Sequence, residues 1–240
     1  MGDKGGKLRS AEPQLGHSSD ALAKQGLGVP VPIPTPRWYS RGYLPHYDDV
    51  SRLQSITFRL ADSLPQSVLR AMDAELESLP DTEQAAQRRL KIEAYLDAGI
   101  GCCALRHSAM ATVMQETLLK FDGEKYQLLE WCIMPNHVHV LIQPKIGLGK
   151  ILQSWKSFTG RWALKRNADL GLGVPGKTFW MREYWDRYIR NERHLEQAID
   201  YIHNNPVKAK LCKAPEDWPW GSAAVGAPSP SSATLQGFAE

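Results

Sequence analysis

One run of residues constrains this chain more than any other: Trp131-Cys132-Ile133-Met134-Pro135-Asn136-His137-Val138-His139-Val140-Leu141-Ile142. It is apolar, broken once by a Pro-Asn pair, and reads as two strands hinged at Pro135-Asn136. In the second strand, period-two alternation sends His137 and His139 to one face and Val138 and Val140 to the other. Side chains two apart on a strand lie roughly 6 to 7 Å from each other. Both imidazoles can therefore lean onto one divalent cation while the valines anchor the strand in a core. Two histidines at this spacing also occur as ordinary half-buried strand residues, so the pair gains meaning only from the rest of the chain.

Around this hairpin the pattern alternates between strand and helix. Leu53 to Leu60 alternates with β-branched and aromatic residues and predicts a first strand. Ser63 is placed to cap a helix that begins Leu64-Pro65, with Val68, Leu69, Met72 and Leu76 at helical spacing. A charged helix follows over about Thr82 to Ala98 and a third over Ser108 to Phe121. The hairpin spans Lys125 to Met134 and His137 to Gln143, and a long helix runs from about Leu148 to Asn167. Gly171 to Gly176 is a loop, Arg182 to Ile189 a strand, and Asn191 opens a helix that should stop at Pro206. This order suits an α/β (α+β) ferredoxin-like sandwich, an antiparallel sheet with helices on one face.

The last of these helices carries a second constellation. Tyr201 and Asn205 stand one turn apart on one face, with His194 two turns before the tyrosine on nearly the same stripe. Ile189, Leu195, Ala198, Ile199 and Ile202 form an apolar stripe that can dock the helix on the sheet, leaving the polar stripe beside the histidine pair. By itself a tyrosine on an amphipathic helix is usually a packing residue, and an asparagine before proline is usually a helix terminator.

Several blocks in this order resemble the REP-associated tyrosine transposases, part of the larger group of HUH single-strand DNA nucleases with one catalytic tyrosine. The resemblance is carried by Met134-Pro-Asn-His-Val-His-Val140, Trp155-Lys156-Ser157 and Tyr184-Trp-Asp-Arg-Tyr-Ile-Arg190. Tyr201-Ile202, Asn205-Pro-Val-Lys-Ala209 and Asp217-Trp-Pro-Trp220 complete it. It covers roughly Arg37 to Ala223 and implies an HUH-type fold. It also implies a metal-dependent single-strand DNA endonuclease and strand transferase, acting on hairpin-forming repeat DNA through a 5′-phosphotyrosine intermediate. On that resemblance the metal ligands are His137, His139 and Asn205, and the nucleophile is Tyr201. Tyr184 and Tyr188 are competing tyrosines, but neither is followed four residues later by an amide. His203-Asn204, between Tyr201-Ile202 and Asn205, falls where the family varies.

The chemistry accounts for these residue types. A metal held by two imidazoles and an amide keeps open positions where it can polarise a phosphate oxygen. Such ligands, with oxygens from DNA, suit magnesium or manganese. A tyrosine hydroxyl, with an unperturbed pKa of about 10, must lose its proton during attack. The phosphotyrosine conserves the bond energy for strand transfer, so no nucleotide cofactor is called for, and no P-loop is present. Basic and aromatic residues are interleaved downstream; Lys150, Trp155, Lys156, Arg187 and Arg190 are the candidate contacts to single-stranded or hairpin DNA. Asp217-Trp-Pro-Trp220 reads as packing.

Composition sets the remaining bounds. Of the 240 residues, 42% are hydrophobic, enough for a packed core, and no run is apolar enough to span a membrane. A formal net charge of +3 is too small to announce a nucleic-acid partner by itself. Four cysteines with no Cys-x-x-Cys spacing fit a reducing compartment. No secretory signal opens the sequence, and with the resemblance this points to a bacterial cytoplasmic, nucleoid-associated protein. A homodimer is compatible with the resemblance. The Pro-rich stretch up to residue 36 is expected to be an extended arm, 37–223 the catalytic domain, and 224–240 a tail. Two other readings remain open: a DNA-binding module without activity, and a metal-dependent hydrolase, for which the chain is short of strand-helix repeats.

Overall fold

The computed structural model describes residues 37–40 and 45–225, all within one compact unit, Pro34–Glu240. The expected arm over 1–36 lies outside the described residues, as does the expected tail over 224–240 except for Ala224 and Val225, which the structure places in a short helix. In chain order the elements are β1 (Arg37–Ser40), β2 (Pro45–Asp48), β3 (Gln54–Arg59), α1 (Gln66–Leu76) and α2 (Asp81–Asp97). There follow α3 (Ser108–Lys120), β4 (Tyr126–Ile133), β5 (His137–Pro144), α4 (Leu148–Leu170), β6 (Trp185–Tyr188), α5 (Glu192–Lys208) and α6 (Ser222–Val225). Four strands form one antiparallel sheet in the order β4-β5-β3-β6, and β1-β2 is a separate hairpin. This is the mixed α/β, antiparallel-sheet architecture expected from the sequence.

Register fixes what each face of the sheet carries. Thr57 lies opposite His139 and Arg59 opposite His137, while Ile56 meets Val140 and Phe58 meets Val138. The apolar face is covered by α3 and α4, with Met110, Met114, Leu118, Ile151, Leu152 and Trp155 packed on Ile56, Phe58, Val138, Val140 and Ile142. On the histidine face Leu141, Cys132 and Met134 instead pack against Leu195 and Ile202 of α5. The helical layer formed by α3 and α4 matches the expectation of helices on one face; α5 adds a helix on the other. The reason is that β5 is apolar at Leu141 on its histidine side as well, so that face also needs an apolar cover.

Local chemistry moved several boundaries. Ser63 does not cap a helix: its hydroxyl donates to the Leu60 carbonyl at 2.8 Å and accepts from Arg59 Nη1 at 3.3 Å. Helix α1 begins only after Pro65, whose carbonyl accepts from Val68 and Leu69. The expected strand over 182–189 is shortened to 185–188 because the carbonyls of Met181 and Arg182 accept hydrogen bonds from Lys156 Nζ, at 3.0 and 3.1 Å. Helix α5 passes through Pro206 to Lys208 instead of stopping there. A proline removes one donor and crowds one carbonyl a turn back, a cost that is small in a last turn. Its N-terminus is as expected, with Asn191 Oδ1 accepting from His194 N at 2.9 Å.

Both edges of the sheet are covered. Along β4, Cys132 bridges Gly221, Ile133 N donates to the Trp220 carbonyl at 2.9 Å, and Trp218 Nε1 donates to the Ile133 carbonyl at 3.1 Å. The Asp-Trp-Pro-Trp block is therefore packing that blunts an edge strand. At β6, Asp186 accepts from Tyr47 N at 2.9 Å and pairs with the buried His46 at 2.5 Å, which ties the β1-β2 hairpin to the sheet.

Trp155 shows how tightly the α4 layer is held. It is 0% exposed, stacks on Phe58 at 5.9 Å, meets Tyr126 edge-on and donates from Nε1 to the Tyr126 hydroxyl at 3.0 Å. Trp155→Ala should cost ~3–5 kcal/mol in urea unfolding; a loss under ~1 kcal/mol would show that this indole is not the keystone of that layer.

Candidate active site

Period-two alternation on β5 delivers His137 and His139 to the face beneath α5, and both are nearly inaccessible, at 1% and 3% exposure. Their Nε2 atoms approach to 2.9 Å, with the rings edge-on at 4.6 Å. Burial pulls the His137 pKa down to about 3. Burial also holds His139 well below its usual value, with help from His137, Arg89 and Lys208. Both imidazoles are thus neutral at pH 7 and offer lone pairs instead of positive charge.

Each ring is held from behind. His137 Nδ1 meets Asn136 Oδ1 at 2.7 Å, and His139 Nδ1 meets Thr57 Oγ1 at 2.8 Å. Thr57 reaches His139 because the β3-β5 register puts the two opposite each other.

Helix α5 brings the second half of the site. Its docking stripe is as expected, with Leu195 and Ile202 buried and Ala198, Ile199 and Tyr201 partly so against the same cluster. A hydrogen bond of 2.7 Å between His203 Nε2 and the buried Glu130 clamps the helix to β4. Tyr201 then lies edge-on to His139, ring centroids 5.2 Å apart. Among the described residues, neither the Tyr201 hydroxyl nor Oδ1 and Nδ2 of the fully buried Asn205 makes a well-formed hydrogen bond, although the Asn205 side chain lies close enough to the hydroxyl to favour its ionised form slightly. Buried polar atoms are normally paired, so three such atoms on the helix that sets Tyr201 against His139 mark a place prepared for something else. Burial raises the Tyr201 pKa well above 10, and Glu93 and Asp97 add to that, so the hydroxyl is protonated at neutral pH.

The donor set fits a divalent cation. Cis ligands at 2.0–2.1 Å from an octahedral ion stand about 2.9 Å apart, the separation observed between the two Nε2 atoms. Among the described residues, no group of three or more His, Cys, Asp or Glu is arranged to hold a metal. The side chain of Asn205, buried one turn after Tyr201 on α5, is an amide able to serve as a further ligand.

The site opens into a cleft of 570 Å³ lined by Ser55 and Thr57 of β3, Trp185 and Arg187 of β6, Arg89, Ile92, Glu93 and Leu96 of α2, and His194, Gln197 and Tyr201 of α5. Lys208 Nζ sits over the Tyr201 ring at 4.8 Å. Arg187 has its pKa lowered by burial and then by Arg89 and Arg190, and His194 is lowered by burial and then by Arg187, Arg190 and Arg89. Cationic groups that disfavour one another's charge form a corner that a polyanion would relieve.

The sequence-derived candidates therefore divide. His137, His139, Tyr201 and Asn205 lie on the α5 side of the sheet, Arg187 lines the cleft, and Arg190 lies near enough to lower the pKa of Arg187. Trp155 is a correction: fully buried on the opposite face, it has no surface on which a base could stack. Lys156, on the same helix, spends its ammonium on the carbonyls of residues 181–183. Lys150 is exposed on α4, in a separate 410 Å³ groove with Lys120 and Arg161. Tyr184 is buried in the α4-side core and stacks on His46, and Tyr188 packs against Tyr47, so neither competes with Tyr201 for the histidine pair. Sequence reasoning missed Thr57, Arg89, Glu93 and Asp97. The signal was the spacing of four on α2 and the alternation Ser55-Thr57-Arg59 on β3.

Asp97 offers a direct test of the electrostatics on α2. Burial, then Glu93, pushes its carboxyl up to about 6 from 3.8, against the pull of Lys208. The folded chain thus binds this proton more tightly than the unfolded chain. Its contribution is fully favourable below pH 3.8 and is lost as pH rises through about 6. Asp97→Asn should stabilise the fold at pH 8 by ~1–2 kcal/mol, after discounting for solvent screening, and change little near pH 4. Urea unfolding at both pH values checks this; an equal effect at both would refute the assignment.

Comparison with known proteins falls on the same segment. Residues 105–205, from the turn before α3 to Asn205, match the family model described as Transposase IS200 like. A REP-associated tyrosine transposase of Escherichia coli (strain K12) is 24% identical over 112 residues, covering 46% of this chain and 62% of that one. A putative REP-associated tyrosine transposase of Haemophilus influenzae is 27% identical over 110 residues, covering 40% and 58%. The chain therefore spans less than two thirds of the length of these relatives. A solved structure of the REP-associated tyrosine transposase bound to a REP hairpin aligns with a TM-score of 0.44 and 15% identity, over 78% of this chain and 82% of that one. Helix α2, which walls the cleft, lies outside the matched segment. From the turn before α3 to Asn205 on α5, the chain is thus similar to the Transposase IS200 like family and to curated REP-associated tyrosine transposases.

Proposed function

We propose that this chain nicks and rejoins single-stranded DNA with Tyr201 as nucleophile, at a divalent metal site formed by His137, His139 and Asn205. The observation that carries this reading is Tyr201, which lines an open cleft and sets its ring 5.2 Å from that of His139, one of a pair of buried, neutral imidazoles. A magnesium or manganese ion at those ligands would polarise a non-bridging phosphate oxygen and offset the charge that develops during attack. The protein's own groups do the rest. Tyr201 Oη forms a bond to phosphorus while the bond from phosphorus to the 3′ oxygen breaks. The tyrosine proton is lost, the leaving oxygen gains one and departs as a 3′-hydroxyl, and the 5′ end stays on Tyr201 as a phosphotyrosine. A 3′-hydroxyl of another strand can reverse the step without ATP.

Substrate preference follows from the walls. Arg187, Arg190, Arg89 and Lys208 neutralise phosphate, and Trp185, Ile92 and Leu96 give apolar surface to a base that is already unpaired. The REP-associated names of its relatives point to hairpin-forming repeats as the substrate class. A DNA-binding module without activity is the alternative, and cleavage distinguishes the two.

Tyr201→Phe keeps the ring and its packing but removes the attacking oxygen. It should retain hairpin DNA binding and lose cleavage by at least about 10³-fold, whereas Tyr184→Phe and Tyr188→Phe keep measurable activity. His137→Ala and His139→Ala should abolish metal-dependent cleavage, and a perfectly matched duplex should resist cutting. Undiminished cleavage by Tyr201→Phe would sink the assignment.

A further inference from the structure

The hydrogen bonds behind the histidine pair have a direction. Asn136 is 0% exposed, and its Nδ2 donates to the carbonyls of Leu96 and Ile100 at 3.1 and 2.9 Å. Those two bonds use both amide protons, so the amide is not free to flip, and Oδ1 is left facing His137 Nδ1 at 2.7 Å. An amide oxygen only accepts. His137 must therefore carry its proton on Nδ1, and its Nε2 is a bare lone pair.

That lone pair stands 2.9 Å from His139 Nε2. Two bare lone pairs at this distance repel, so without a cation His139 must place its own proton there and donate to His137. His139 Nδ1 is then an acceptor, and the Thr57 hydroxyl at 2.8 Å must donate to it. The result is one unidirectional chain: Thr57 to His139, His139 to His137, His137 to Asn136, and Asn136 to the C-terminal end of α2 and the loop after it.

We propose that Asn136 is the positioning residue of this centre: it fixes the His137 tautomer, so that a divalent cation has only the His139 Nε2 proton to displace. This rests on the metal reading of the histidine pair. The displacement leaves the count of protons unchanged. His139 loses the proton at Nε2 to solvent and takes one at Nδ1, and Thr57, whose hydroxyl turns round, changes from donor to acceptor. A threonine suits that place because its hydroxyl can do either. Asn136 does not change role, because both its donors remain held by α2 and its loop. The site is therefore asymmetric, with His137 preset and His139 switchable. The C-terminal end of α2 lies outside the segment shared with the transposase family, yet it sets the electronic state of a residue within that segment.

The test is nuclear magnetic resonance of the full chain labelled with ¹⁵N-histidine and stripped of cations at pH 7.5. Long-range ¹H–¹⁵N correlation should show His137 protonated at Nδ1 and His139 at Nε2. Magnesium chloride should convert His139 to the Nδ1 form and leave the His137 tautomer unchanged. Asn136→Ala should release the His137 tautomer and weaken magnesium binding, read from the same spectra, by about 10–100-fold. The near-isosteric Thr57→Val should weaken magnesium binding without altering the tautomer of His137. A wild-type His137 protonated at Nε2 would overturn the proposal, as would an Asn136→Ala protein with unchanged tautomer and affinity. If the tautomers are as stated but neither magnesium nor manganese perturbs the rings, the metal reading fails and the claim that this chain serves a cation falls with it.

Discussion

Everything in the site depends on the register between β3 and β5. Because Thr57 lies opposite His139 and Phe58 opposite Val138, one strand pair builds the apolar floor for α4 with one set of residues. With the other set it builds the histidine-bearing face for α5. A slip of one residue would bury the imidazoles in the Phe58-Trp155 cluster and turn valines toward Tyr201. The central place of β5, flanked on both sides by antiparallel partners, makes such a slip costly.

The same burial that secures the register prepares the chemistry. His137 and His139 are neutral because they are dry, and the Tyr201 hydroxyl holds its proton for the same reason. Desolvation thus favours imidazoles with free lone pairs and a protonated tyrosine, the forms from which the proposed mechanism starts. A cation arriving with a phosphodiester would strengthen electrostatic interactions most in a setting of this kind. Helix α5 serves both ends: its apolar stripe docks on Leu141, and its polar stripe presents Tyr201 and Asn205.

Much of this was legible in the sequence where local periodicity governs. Alternation on β5 placed the two histidines, and the i, i+4 relation placed Tyr201 with Asn205. Asn191 announced the start of α5 through its capping chemistry. What was not legible depended on pairing across long separations. Trp155 and Lys156 looked like nucleic-acid contacts from composition, but the packing of α4 on Phe58 and the bend at residues 181–183 claimed them for structure. The β1-β2 hairpin, with two strands of only four residues and Pro45 in one of them, lacks an alternating run long enough to notice. The role of α2 as a wall of the cleft follows from how a charged helix folds back across the sheet, which no local pattern encodes. Asn136 was visible only as a turn residue; its place beside His137 needed the α2 loop to come within reach.

The most direct measurement of the central claim is the identity of the residue that becomes joined to DNA. Wild-type protein would be incubated with a single-stranded oligonucleotide carrying a hairpin-forming repeat and magnesium, then quenched, digested with trypsin and analysed by mass spectrometry. Cleavage at Arg193 and Lys208 isolates Tyr201 on a peptide free of other tyrosines, while Tyr184 and Tyr188 fall on different peptides. The account predicts a 5′-phosphoryl nucleotide adduct on the peptide bearing Tyr201, dependent on the divalent cation. An adduct on Tyr184 or Tyr188, or strand cleavage with no protein adduct at all, would contradict it.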